Sequence, residues 1–211
     1  MTVPTAAEEL TARLAALEEF PLIEGDRVAL RGVRDEDIDG LYAMFSDPQV
    51  MRYWSRGPMQ ARYEAVEYAE RIRSGFADRS ALSWVIADLT DDRFLGTCTL
   101  YEITPAHRRA ALGYCLMRAH WGQGLAGEAV SLALAWGFAH LGLSRVEADV
   151  DPRNTASCRL VEKQGFRFEG VLRQRFHAAH EIQDSAMYGL LEAEWAQKMA
   201  AEGNSFVSSV D

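Results

Sequence analysis

"AHWGQGLAGEAVSLALAWGFAHLG" spans Ala119–Gly142. Three glycines, Gly122, Gly124 and Gly127, fall within six residues and stand directly before the strongest helix pattern in the chain. Glycines in this position can simply turn the chain. They can also serve a ligand. A helix start leaves N–H groups unpaired and carries a partial positive charge, which suits a phosphate. Glycine lets the phosphate approach without a side chain in the way. The flanks bear on the choice. Ala110–Met117 reads as a strand leading in, and Ser144–Val150 as a short strand leading out. The unit is therefore strand, glycine loop, helix, strand: a βαβ crossover, expected to be right-handed with parallel strands. No Lys-Ser or Lys-Thr closes the loop as in a P-loop, and the glycine spacing is not that of the dinucleotide fingerprint. A βαβ unit remains whose helix start receives a phosphorylated ligand in another way.

The rest of the chain builds outward from this unit. Thr5–Phe20 reads as an amphipathic helix with Leu10, Leu14 and Leu17 on one stripe. Arg27–Val33 alternates as a first strand. A helix follows, with Asp35 expected as its cap and Pro48 beyond its end. Gln60–Ala77 is a second helix after the aromatic loop "RYWSRGPM". Leu82–Asp88 and Phe94–Ile103 are strands that form a meander with Ala110–Met117. Asn154–Gln164 is a helix stopped by Gly165, and "FRFEGVLR" and "DSAMYGLL" supply two last strands, expected to pair antiparallel. Strands clustered in mid-chain predict a mixed α/β sheet of about seven strands, not a doubly wound fold. The expected divisions are a helical extension over 1–21, one domain over 22–198, and a loose polar tail over 199–211.

The chain has 211 residues, enough for one sizeable core. No apolar stretch is long and charge-free enough to span a bilayer, and the acidic start (Glu8, Glu9, Glu18, Glu19) is unlike a secretory leader. A cytoplasmic location is expected. The net charge of −9 argues against general binding to nucleic acid or anionic membrane and is compatible with amine-bearing substrates. Cys98, Cys115 and Cys158 are odd in number and widely spaced, which reads as free thiols. His177 and His180 are three apart in a stretch without helical character, so no metal site is expected.

Three ordered segments carry a resemblance: "LRGVRDEDIDGLYAMFSDPQVMRYW", "LGYCLMRAHWGQGLAGEA" and "DVDPRNTASCRLVEKQGFRFEGVLR". Together they are similar to the GNAT superfamily of acyl-CoA-dependent N-acetyltransferases, in particular its ribosomal-protein-alanine N-acetyltransferase-like branch. The likeness covers roughly Leu22 to Trp195. It implies a central twisted mixed sheet with a splayed parallel pair, flanked by helices, and acetyl-CoA as cosubstrate with no metal. It implies that the amides of Gln123, Gly124, Leu125, Ala126 and Gly127 receive the coenzyme pyrophosphate, and that backbone at Leu116, Met117 and Arg118 pairs with the pantetheine arm. A backbone N–H of the same strand would hold the developing oxyanion.

Asn154 stands where the family asparagine meets the pantetheine arm, although Asn there equally suits a helix cap. Ser157 matches the serine placed to protonate the departing thiolate; the tyrosine that many relatives use four residues on is Val161 here. The base is less legible. Ala111 and Phe176 occupy the two positions where relatives carry Glu. His177 and Glu181 are the base candidates, with Glu102 and His180 behind them; an acceptor amine of lowered pKa with a water chain is the alternative. Tyr53, Trp54 and Tyr188 fall where an acceptor wall is expected, with core packing as the competing role for each. Cys115 invites a covalent acetyl-cysteine, but a strand Cys is more often a small core residue.

The implied activity is N-acetyl transfer, an acyltransferase reaction of groups other than amino-acyl groups. The acceptor is a primary amine of a protein N-terminus or a small molecule, attacking directly in a ternary complex. A monomer or homodimer is expected, with no nucleic-acid or membrane partner. The missing glutamates keep open a non-catalytic acyl-CoA-binding or sensing module.

Overall fold

In the computed structural model, which describes residues 3–178 and 181–203, eight strands form one sheet. In chain order they are β1 (Ile23–Glu24), β2 (Val28–Arg31), β3 (Leu82–Asp88), β4 (Phe94–Thr104), β5 (Arg109–Leu116), β6 (Arg145–Val150), β7 (Arg167–Ala178) and β8 (Glu181–Leu191). The spatial order is β1-β2-β3-β4-β5-β6-β8-β7, antiparallel throughout except for the parallel pair β5–β6. The sequence predicts about seven strands. The additional one is β1, two residues paired with Ala29 and Leu30, too short to show alternation.

Among the described residues, six α-helices flank the sheet: α1 (Ala6–Ala15), α2 (Ile38–Ser46), α3 (Arg62–Ala77), α4 (Leu125–Trp136), α5 (Thr155–Gln164) and α6 (Glu192–Ala201). Alternation along the strands sorts the core into two parts. Trp84, Cys98, Leu112, Val146 and Ala148 pack with α1, α4, α5 and α6. Cys115 packs with α2, α3 and the loop residues Met51 and Met59 on the other face. A chain segment of 3-10 form, Met51–Tyr53, carries that loop toward the site.

Three boundaries differ from the sequence reading. The leading helix stops at Ala15, not Phe20, and Thr5 caps it with Glu8 in a reciprocal box. Its Leu10 and Leu14 are buried in the domain's own core, so the extension is part of the folded unit. Helix α6 runs through Met199 to Ala201, into the stretch predicted to be loose, because Trp195 and Met199 are buried. The remaining tail positions, 204–211, lie outside the described residues, as does His180. Asp35 does not cap α2. The 3-10 turn Asp35–Asp37 precedes it, and buried Asp37 accepts from the Arg34 amide at 2.7 Å. Buried Arg31 needs a counter-ion, and Asp37 supplies it through two bonds of 2.7 and 2.9 Å. Asp35 instead meets Arg73 on α3.

Candidate active site

The parallel pair is the geometric centre of the site. Strands β5 and β6 are in register from Arg109↔Arg145 to Leu112↔Ala148, and no further. Beyond that point β5 follows β4 as far as Gly96↔Leu116, while β6 follows β8 as far as Val150↔Ala186. Each strand is held by its outer neighbour, so a wedge opens between them. Gly96 fixes one side of it. A Cβ there would lie 2.1 Å from the Cys115 carbonyl oxygen, so β4 and β5 approach as only glycine allows.

The wedge exposes backbone. The Met117 amide donates to the Leu95 carbonyl at 2.9 Å, toward β4. It is therefore not free for a ligand, which corrects one of the three expected backbone contacts. Donor direction alternates along a strand, so Leu116 turns its N–H toward the wedge. Trp121 Nε1 donates to the Leu116 carbonyl at 2.9 Å and ties the loop to this edge. The side chain of Arg118 is engaged by Asp47 at 3.1 Å.

The glycine loop has the form of an anion cradle. Gly122 and Gly124 have φ of +72° and +80°, in the left-handed region that favours glycine. Gly124 caps α4, and the first helical bond runs from the Glu128 amide to the Gly124 carbonyl at 3.1 Å. The amides of Leu125, Ala126 and Gly127 precede that bond and have no helical acceptor. Arg27 fastens the loop through the Gln123 carbonyl at 2.9 Å and binds Glu128 at 2.9 Å. Gln164 of α5 donates to the Gly127 carbonyl at 2.9 Å, holding α5 beside the start of α4.

Asn154 accepts from the Ser157 amide at 3.2 Å and so caps α5; its side chain also lines the cleft described below. The capping role is thus formed. The Ser157 hydroxyl lies 2.7 Å from the hydroxyl of Tyr114. Burial pushes the Tyr114 phenol up to about 12, partly offset by the Ser157 bond. Tyr114 escapes a motif reading, but alternation along β5 puts it on the same face as Leu112 and Leu116, toward α5.

A cleft of about 330 Å³ runs through the wedge, from Tyr114, Asn154 and Ser157 on the α5 side to Tyr53, Trp54 and Tyr68 on the α2–α3 side. Tyr53, Trp54, Tyr101, Asp149, Phe176 and Gln183 are among its walls. Trp54 stands edge-on against Phe45 at 5.5 Å, which fixes its ring. Asp149 is the first β6 residue past the last register pair. It accepts from the Ser185 hydroxyl, and Arg175 Nε stands 3.7 Å from its other oxygen. The Tyr101 phenol is pushed up to about 12, first by burial and then by the charge of Asp149.

The other candidates are placed elsewhere. His177 is exposed and not among the residues lining the cleft, although its neighbour Phe176 is; alternation turns the two to opposite sides. Glu181 is clamped by Arg153 through bonds of 2.9 and 2.7 Å. Arg153, then Gln183, lowers its carboxyl to about 2, which makes it a weak base. Tyr188 is buried, 3.2 Å from Glu162, among residues packed on α5 rather than on the cleft. It shares its face with Ala186 and Leu190, away from Asp149. Burial pushes the Cys115 thiol up to about 12 within an apolar cluster, which suits packing rather than acyl transfer. Among the described residues, no three His, Cys, Asp or Glu side chains are grouped to hold a metal ion. Nor is any helix among them long and apolar enough to cross a membrane.

A parallel pair that opens beside a glycine-capped helix is the architecture of an acyl-CoA-dependent transferase. Residues 27–167 match a family model described as an acetyltransferase (GNAT) domain, and the chain belongs to that family of N-acetyltransferases. It is 34% identical over 173 residues to the "uncharacterized N-acetyltransferase YoaA" of Bacillus subtilis (strain 168), covering 82% of this chain and 98% of YoaA. It is 28% identical over 181 residues to spermidine N(1)-acetyltransferase of Escherichia coli (strain K12), covering 85% of this chain and 94% of that enzyme. Among solved structures, Mycobacterium smegmatis RimJ in complex with CoA-disulfide matches with a TM-score of 0.76 at 25% identity, over 88% of this chain and 96% of that one.

Proposed function

We propose that this chain transfers an acetyl group from acetyl-CoA to a primary amine, on a protein N-terminus or a small molecule, by direct attack within a ternary complex. The observation that carries this reading is the wedge past Leu112↔Ala148, together with the glycine-capped start of α4 that follows β5 in the chain. The coenzyme supplies an acyl carbon activated as a thioester. The loop amides from Gln123 to Gly127 are the donors for its pyrophosphate. The wedge edge at Leu116, with Asn154 opposite, receives its arm as an added strand. A backbone N–H on that edge is the donor for the carbonyl oxygen as charge develops there. Ser157, backed by Tyr114, delivers a proton toward the sulfur. A free thiol titrates near about 8.5, so the departing thiolate needs only modest help. Trp54 offers an aromatic wall to a cationic acceptor, beside a Tyr53 ring that Arg52 and Arg153 already meet at 5.2 and 5.9 Å.

Phe176 and Ala111, where a carboxylate is expected from the resemblance, favour a second reading: a module that binds acyl-CoA without turning it over. A thiol-release screen over peptides and small amines, with mass spectrometry of the product, separates the two. Release coupled to an acetylated amine supports the transferase. Coenzyme binding without release on any amine selects the binding module.

A further inference from the structure

We propose that Asp149 is the catalytic base of this site, the carboxylate that takes a proton from the acceptor's ammonium group. This rests on the transferase reading above and names a residue for the step that reading leaves without one. An alkyl ammonium titrates near about 10.4, so at neutral pH a proton must leave before nitrogen can attack.

Position comes first. Asp149 is the first residue of β6 past the last pair with β5, at the mouth of the wedge where the acyl carbon is delivered. It lines the cleft together with Gly113 of β5 and Tyr101 of β4. Gly113 carries no side chain to fill the space, and the Tyr101 ring lies 3.5 Å from where its Cβ would be. Trp54 gives the same cleft an aromatic wall suited to a cation, while the Tyr53 and Phe176 rings are already met by Arg52 at 5.2 Å and Arg175 at 5.7 Å.

The bonding pattern suits a base. The Ser185 hydroxyl donates to Oδ1 of Asp149 and fixes the carboxylate. Arg175 Nε is 3.7 Å from Oδ2, beyond a hydrogen bond, so that oxygen keeps capacity for a donor. The charged and titratable groups around it are few. Arg175 faces it from β7 and Tyr101 from β4, Asp184 of β8 lines the same cleft, Glu147 precedes it on β6 and Asp151 lies just past that strand's end. Glu147 is already paired with Arg109 and Arg145, and Asp151 with Arg153. The step balances. Asp149 accepts one proton from the ammonium group, and the nitrogen lone pair forms the C–N bond as the C–S bond breaks. The sulfur leaves with the C–S electron pair and is protonated from the Ser157 side. The second nitrogen proton passes to water, and Asp149 returns its own to solvent.

The test compares wild type, Asp149→Asn and Ser185→Ala, using an amine that the thiol-release screen shows wild type to acetylate. Asp149→Asn is expected to lose about a hundredfold or more in kcat/KM at neutral pH. Its coenzyme affinity by calorimetry should stay within about twofold, because the residue touches the acceptor and not the coenzyme. The deficit should shrink as pH approaches about 10, where the amine deprotonates unaided. Ser185→Ala keeps the carboxylate but removes the hydroxyl that holds it in place, so kcat/KM should fall severalfold while coenzyme affinity stays within about twofold. A merely structural role predicts no pH-dependent deficit in Asp149→Asn. Asp149→Asn with wild-type kcat/KM at neutral pH overturns the assignment. If Asp149→Asn does not fold, wild-type kcat/KM in Ser185→Ala overturns it. If wild type acetylates no amine, the transferase reading fails and takes this one with it.

Discussion

Ser157 and Tyr114 lie 43 positions apart and meet at 2.7 Å, and single-residue chemistry can be tested there. Ser157→Ala should lower kcat roughly ten- to a hundredfold, at or below the usual worth of a general acid, with coenzyme affinity little changed. Tyr114→Phe should cost less, since it leaves the serine hydroxyl in place. Adding it to Ser157→Ala should cost little more, because both act through one proton path. Wild-type kcat in Ser157→Ala, measured where chemistry limits the rate, rules out the acid role. Gly124 is a second single-residue test. At φ of +80°, with a Cβ position 3.4 Å from Arg27 Nη2, a valine would be strained and would crowd the arginine that fastens the loop. Gly124→Val should stay folded, lose about 1–2 kcal/mol of stability, and bind coenzyme at least about tenfold more weakly. Unchanged calorimetric affinity in the folded variant makes the glycine a turn residue only. Ser157, Asn154 and Gly124 were legible because each sits in a local motif. Tyr114 and Asp149 were not, because what gives them a role is a partner on another element: Ser157 for one, Ser185 and Tyr101 for the other.

At the scale of elements, β5 carries most of the site, and its course depends on Gly96. A methyl group there would meet the Cys115 carbonyl and the Leu116 Cα, both backbone-linked atoms that cannot swing aside. Gly96→Ala should therefore push β5 from β4, costing about 1–3 kcal/mol as overpacking does. Each kcal/mol lowers Tm by about 2–4 °C in a chain of this size. Coenzyme affinity should fall with it, because the displaced end of β5 is the edge of the wedge. A variant with unaltered Tm and affinity shows that β4 and β5 can relax apart without consequence. Most elements could be read from the chain. Alternation marked β2, and the glycines and the apolar run marked α4 and its crossover. The splay came from the resemblance alone, because it arises where two strands obey different neighbours, β4 and β8, whose pairing no local pattern encodes. Asp35 misled for a related reason: a carboxylate before a helix looks like a cap, but the demand for a counter-ion came from Arg31 in the core.

Across the whole molecule, the sheet divides at the same wedge. Strands β1 to β5 form one part and β6, β8 and β7 the other, and four residue pairs join them within the sheet. A ligand lying in the wedge would contact both parts and the start of α4, so its binding should stabilise the protein globally rather than order one loop. Acetyl-CoA at about one hundred times its Kd should add about 2.7 kcal/mol. At about 2–4 °C per kcal/mol, Tm should then rise by roughly 5–11 °C. Amide hydrogen exchange should slow on β5 and β6 together. Charge adds a second signature. The chain carries −9 overall, so under the proposed reading a polyanionic coenzyme would be repelled at long range and held by short-range amide donors at the loop. Salt screens interactions beyond about 8–10 Å near physiological strength. Affinity should therefore hold or rise slightly as salt increases, whereas binding through exposed arginines would fall steeply. A flat thermal titration with acetyl-CoA removes the coenzyme site itself; a steep loss of affinity with salt moves it from the amides of α4 to surface side chains.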